Sequence, residues 1–128
     1  MPIEAGLEAS VEHEVTSADT ASALGSGDVD VLATPRIVAF CEEAAVLAIT
    51  SGLEHSQTSV GTRVVIDHIA PTVVGRRVTA VARLEHVDGK NLSFVVEVSD
   101  GAGVVARGTH TRVLVDRERF VRNALDRR

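Results

Sequence analysis
Ala33-Thr34-Pro35-Arg36-Ile37-Val38-Ala39-Phe40-Cys41-Glu42-Glu43-Ala44-Ala45-Val46-Leu47-Ala48-Ile49-Thr50-Ser51 reads as one long, almost wholly apolar helix. Thr34 suits an N-cap, and Pro35 suits the first helical position, where no backbone donor is needed. Gly52 is a natural stop just past the end. A helix this apolar must be wrapped on most sides. Glu42 and Glu43 interrupt it, about 100° apart around the axis. One can reach solvent. The other points into something, and an inward carboxylate is costly without a partner or a task.

Outward from this helix, the texture changes on both sides. Before it, Leu7 to Val15 alternates apolar and polar residues, the period of a half-buried strand. Thr16 to Asp30 is small, polar and aperiodic, which predicts an irregular loop. After the helix, Leu53 to Thr58 is a polar loop. Four strands are then predicted: Val60 to Ala70, Arg76 to Val87, Asn91 to Ser99 and Val104 to Val115. Asp88-Gly89-Lys90 is a strong hairpin signal, and Asp100-Gly101-Ala102-Gly103 is a second turn. Asp116 caps a short terminal helix carrying Phe120, Val121, Ala124 and Leu125. The order is strand, long apolar helix, four antiparallel strands, short helix. One antiparallel sheet wrapped around the helix buries both economically, an α+β arrangement known as the hotdog fold. A single sheet covers only part of such a helix, so pairing with a second copy is expected.

Size and composition bound the rest. The chain of 128 residues suits one domain over its whole length, and 45% apolar content supports a core. Aromatics are only 2%, so Val, Ala, Leu and Ile must fill it, and base-stacking platforms are not expected. The formal charge of −5 argues against a nucleic-acid partner. The single cysteine, Cys41, lies within the helix and reads as a small core residue, so no disulfide framework arises within one chain. No run reaches transmembrane length and no leader pattern is seen, so we expect a cytoplasmic protein without a membrane partner.

Several residues stand out for chemistry. His68 ends the apolar strand face Val64, Ile66, His68, just before Ala70-Pro71, where the strand leaves the core. His13 and His86 lie in strand patterns, His55 in a loop, and His110 on the last strand. No ligand spacing predicts a metal site. Thr34, Glu42 and His68 together supply a hydroxyl, a carboxylate and an imidazole, the parts of nucleophilic or general-base hydrolysis. The helix N-terminus adds free amides and partial positive charge for a carbonyl oxygen.

With these residues in place the chain resembles the fluoroacetyl-CoA thioesterase-like family of hotdog proteins, from about Gly6 to Val121. The matching parts are Ala33-Thr34 leading into the helix, Glu42, Gly61-Thr62 followed by His68, and Gly108-Thr109-His110 with Arg112. The resemblance implies hydrolysis of an acyl-CoA thioester with Thr34, Glu42 and His68 in the catalytic roles, and Gly61 near the carbonyl. It implies no cofactor, since CoA is part of the substrate. The segment before the helix departs from the fluoroacetyl-specific enzyme, where it is longer and carries an aromatic lid. Here Ala21 to Asp28 has no aromatic.

Thr34 and Glu42 are separated by about 12 Å of helical rise. A Thr34 hydroxyl at the helix start therefore cannot bond Glu42 of its own chain. Either the two act on different parts of one site, or the site draws on both subunits of a homodimer, or of a higher oligomer built on it; we expect the second. The thioester carbonyl would sit over the helix N-terminus or the Gly61-Thr62 amides. Arg36, Arg76 and Arg77 are candidates for the CoA phosphates. Two other readings stay open. One is a hotdog hydratase or dehydratase of enoyl- or hydroxyacyl-CoA, which needs no hydroxyl at the helix start. The other is a non-catalytic acyl-CoA-binding module.

Overall fold
The computed structural model describes residues 2–127. Strand β1 (Glu8–Glu14) leads through a 3-10 turn at Ser17–Asp19 and a one-turn helix α1 (Ala21–Leu24) to the long helix α2 (Thr34–Ile49). A further 3-10 turn, Thr50–Gly52, precedes β2 (Gln57–His68), β3 (Arg77–Asp88), β4 (Asn91–Asp100) and β5 (Gly103–Asp116). The chain then forms α3 (Arg117–Leu125). The strands make one sheet in the order β1-β3-β4-β5-β2. All four pairings are antiparallel, and β1 and β2 are its edges.

Helix α2 lies across one face of the sheet. Its buried side chains Ile37, Phe40, Cys41, Ala44, Ala45, Ala48 and Ile49 fall at three- and four-residue intervals, one stripe of a helix. They meet alternate residues of the sheet, among them Val78, Ala80, Ala82, Leu84, Leu92, Phe94, Val96 and Val98. The small side chains of Ala44, Ala45 and Ala48 let helix and sheet approach closely. This is the α+β hotdog arrangement that the order of elements predicts. The wrapping is one-sided, contrary to the expectation from the helix's apolarity: Val46 and Leu47 remain 40% and 52% exposed.

Three local differences from the sequence reading have physical causes. The segment before α2 is not irregular throughout. Thr20 caps α1 by accepting from the Ala23 amide, and Gly25 ends it in the left-handed region at φ 73°. Four residues are too few to show a period. Strand β2 begins at Gln57 rather than Val60, because Gln57, Thr58 and Ser59 pair with Asp116, Val115 and Leu114 of β5. Helix α2 begins one residue earlier than a Thr34 cap requires. Ala33 is its N-cap and makes no side-chain bond, so Thr34 is the first helical residue.

The turns follow their chemistry. Gly89, with φ 61°, opens the two-residue loop between the paired Asp88 and Asn91. Asp116 does cap the terminal helix, its carboxylate accepting from the Arg119 amide. Among the described residues no helix is long and apolar enough to cross a membrane.

Candidate active site
The start of α2 is pinned on both sides. The Ala33 amide donates to the Asp19 carbonyl and the Leu32 amide to that of Thr72. Val31 bridges Val73 just beyond the corner where β2 ends. This fastens the helix start against the last residue of β2. Thr34 Oγ1 lies 2.7 Å from His68 Nδ1. The freedom that removes Thr34 from capping is thus used for this bond. A hydroxyl donating to Nδ1 leaves the imidazole proton on Nε2. His68 Nε2 is buried and has no partner among the described residues. The arrangement is a hydroxyl beside a base whose far nitrogen lacks its orienting acceptor. A cleft of about 240 Å³, lined by Val31, His68, Ile69, Ala70 and Pro71, opens beside it.

Glu42 lies in a second cluster. Its Oε2 is 3.3 Å from Arg112 Nη1 and 4.0 Å from His110 Nε2. Gly61 makes room for it: a Cβ there would stand 2.5 Å from Glu42 Oε2. The β2–β5 register slips between Gly61 and Arg63, so Thr62 is the extra residue of a bulge beside the carboxylate. Thr62 Oγ1 donates to the Thr111 carbonyl. Arg112 is 5% exposed. It donates from Nε to Ser59 Oγ at 2.8 Å and from Nη2 to the Ser59 carbonyl at 3.1 Å. Burial lowers the Arg112 pKa, opposed by the Glu42 charge and its hydrogen bond. Burial likewise lowers that of His110; the Arg63 carbonyl raises it, the Arg112 charge lowers it and Glu42 raises it.

Glu42 is thus the inward carboxylate, half-exposed and partnered. Glu43 turns to the surface and pairs with His13 at 3.1 Å. Thr34 and His68 come together; Glu42 sits apart, on Gly61 and Arg112. Two of the expected phosphate cations are bound to carboxylates. Arg36 Nε donates to Asp19 Oδ1 at 2.8 Å, and Arg77 Nε to Glu12 Oε1 at 2.6 Å. Arg76 is close enough to Asp100 to help hold its carboxyl down. Burial, with a smaller push from Glu42, raises the Cys41 thiol to about 12, so it is not a nucleophile at neutral pH. Among the described residues no three His, Cys, Asp or Glu side chains gather as a metal-binding group.

Ser59, His110 and Arg112 were not among the site residues expected from sequence. For His110 and Arg112 the signal was the parity of β5; Ser59, on β2, had none. Ala106, Gly108, His110, Arg112 and Leu114 share its inner face, so two titratable side chains in that series must enter the core.

A long helix against one five-stranded antiparallel sheet makes this a hotdog-fold protein, with a hydroxyl–imidazole pair at the helix start and a carboxylate over a glycine. A solved structure of the fluoroacetyl-CoA thioesterase FlK superposes with a TM-score of 0.93 and 28% identity, covering 100% of this chain and 99% of that one. A variant of FlK solved with fluoroacetate and CoA matches with a TM-score of 0.87 and 31% identity, over 92% and 99% of the two chains. The fluoroacetyl-CoA thioesterase of Streptantibioticus cattleyicolor is 37% identical over 91 residues, 71% of this chain and 66% of that relative, so the match spans just under two thirds of its length. The family described as fluoroacetyl-CoA-specific thioesterase matches residues 15–118. The chain belongs to that family.

Proposed function
We propose that the protein hydrolyses an acyl-CoA thioester of a small or medium acyl group. The observation that carries this reading is the 2.7 Å contact from Thr34 Oγ1 to His68 Nδ1 at the start of α2. Nδ1 is placed to take the hydroxyl proton, so the Thr34 oxygen, or a water it orients, can attack the thioester carbon. The N-terminal amides of α2 offer donors for the oxyanion. The carbon–sulfur bond then breaks, and the CoA thiolate leaves and takes up the proton held by the imidazole; where Thr34 is the nucleophile, a water then cleaves the acyl ester, releasing the acid and restoring the hydroxyl. Glu42 serves as general base or nucleophile from a second chain. The reaction needs no cofactor.

A two-chain site is supported by geometry. Thr34 and Glu42 are about 12 Å apart along the helix axis, and the chain leaves the β2 edge unpaired. The apolar walls of the cleft beside His68 suit an aliphatic acyl group. Hydration chemistry has no use for the Thr34–His68 bond.

Thiol release from acyl-CoAs of increasing chain length tests the proposal with wild type, Thr34→Ala, Glu42→Ala and His68→Ala. Turnover should fall about 100-fold or more for Glu42→Ala and His68→Ala. Wild-type-like rates for both would remove these residues from the reaction. Loss of crotonyl-CoA absorbance without thiol release would replace hydrolysis by hydration.

A further inference from the structure
We infer that His110 and Ser59 are positioning residues, which fix the Arg112 guanidinium beside Glu42, His110 doing so as a neutral imidazole that accepts from Arg112. The inference rests on the reading of Glu42 as a working carboxylate. The protonation follows from the partners. Arginine has donors only, so His110 Nε2, 3.1 Å from Arg112 Nη1, must present its lone pair. A carbonyl only accepts, so His110 Nδ1, 2.8 Å from the Arg63 carbonyl, must carry the proton. Both ring nitrogens are committed, and the residue is 1% exposed. His110 is therefore closed to proton transfer with substrate and acts through Arg112.

The guanidinium is held at every nitrogen. Nε and Nη2 grip the hydroxyl and carbonyl of Ser59. Nη1 is shared between His110 Nε2 and Glu42 Oε2. This stops the guanidinium from sliding toward solvent with the carboxylate. Each element around the ring contributes: Phe94 of β4 stacks at 6.1 Å, the Arg63 carbonyl comes from β2, Arg112 from β5, and Glu42 from α2. Glu42 and Arg112 are the charged groups that face it. If His110 gained a second proton, Nε2–H would oppose an Arg112 donor. The clamp would open, and Glu42 would lose its seat over Gly61.

The test compares His110→Leu, His110→Gln and Ser59→Ala, with the tautomer of His110 read in the wild type by nitrogen-15 NMR. An amide carries a donor and an acceptor at about the spacing of the ring nitrogens, so His110→Gln can hold both contacts. The expected spectrum has Nδ1 protonated and Nε2 bare at pH 7. His110→Leu should lower kcat about 10- to 100-fold with KM nearly unchanged, as misplacement of a reacting group does. His110→Gln should recover most of that loss, and its rate should fall less steeply below pH 6.5 than that of wild type. Ser59→Ala, which keeps the Ser59 carbonyl contact, should lie between. An Nε2–H tautomer or a doubly protonated ring at pH 7 overturns the inference. So does a His110→Leu protein with wild-type kcat. If the wild type hydrolyses no acyl-CoA, the functional proposal fails, and the NMR tautomer alone decides the clamp.

Discussion
Thr34 and His68 were legible because each occupies a conspicuous local position, a hydroxyl before a helix-starting proline and an imidazole at the end of an apolar strand face. What the hydroxyl does was not legible. Capping competes with the bond to His68, and only the tertiary placement of β2 against the helix start decides between them. The second cluster was hidden for a similar reason. Glu42 meets Arg112 only because Gly61 pairs with Arg112 across β2 and β5, and a register between strands some fifty residues apart is not a local property of sequence. This cluster carries a consequence for stability. His110 has a folded-state pKa below its ordinary 6.5, from burial first and then the Arg112 charge. Above pH 6.5 the ring is neutral folded and unfolded, so its full contribution is present. As pH falls below 6.5 the unfolded chain takes up the proton while the folded chain resists, and stability is lost toward the lowered folded pKa. The slope for one such group approaches about 1.4 kcal/mol per pH unit. Urea denaturation at pH 7.5, 6.5 and 5.5 should show stability nearly level over the first step and falling over the second. His110→Gln should flatten that second step; an equal fall in the variant would place the titrating group elsewhere.

At the scale of elements, periodicity and turn residues located the long helix, the five strands and the capped terminal helix. The stretches missed are those whose structure depends on a partner, such as residues 57–59 on β5, or those too short for a period, such as α1. The β2–β5 ladder sets the register that assembles the Glu42 cluster, and it has its own requirement. Gly108 pairs with Ile66, and a Cβ at Gly108 would run into the Val65 carbonyl oxygen, which is backbone and cannot rotate away. Gly101, at the β4–β5 turn, has nothing within 4 Å of such an atom. Gly108→Ala should therefore lower Tm by on the order of 10 °C or leave the chain unfolded, and Gly101→Ala should change it by no more than about 2 °C. Circular dichroism melts of the two variants check this. A Gly108→Ala protein as stable as wild type would mean that β2 and β5 are not so tightly apposed.

At the scale of the molecule, two features of the chain ask for a second copy. Helix α2 leaves Val46 and Leu47 uncovered, and β2 has an unpaired edge. An open strand edge is a template for pairing and exposed apolar helix surface gains by burial, and closed twofold assembly is the simplest way to meet both. The proposed function adds a stronger demand, since about 12 Å of helix axis separates Thr34 from Glu42 of one chain. If one site takes Thr34 and His68 from one protomer and Glu42 from the other, inactive variants must complement one another. In a dimer of Thr34→Ala with Glu42→Ala, one site carries both defects and the other carries neither. Random pairing of equal amounts makes about half of the dimers mixed. With one intact site in each mixed dimer, about a quarter of wild-type activity should return. Co-expression with two affinity tags isolates the mixed dimer, which should then show about half the wild-type rate per dimer. A single-chain site predicts no recovery at all, because every site in the mixed dimer keeps one defect. Absence of recovery in a mixed dimer of confirmed stoichiometry would return Glu42 to its own chain's site and require the helix start and the Gly61 bulge to act on different parts of one substrate.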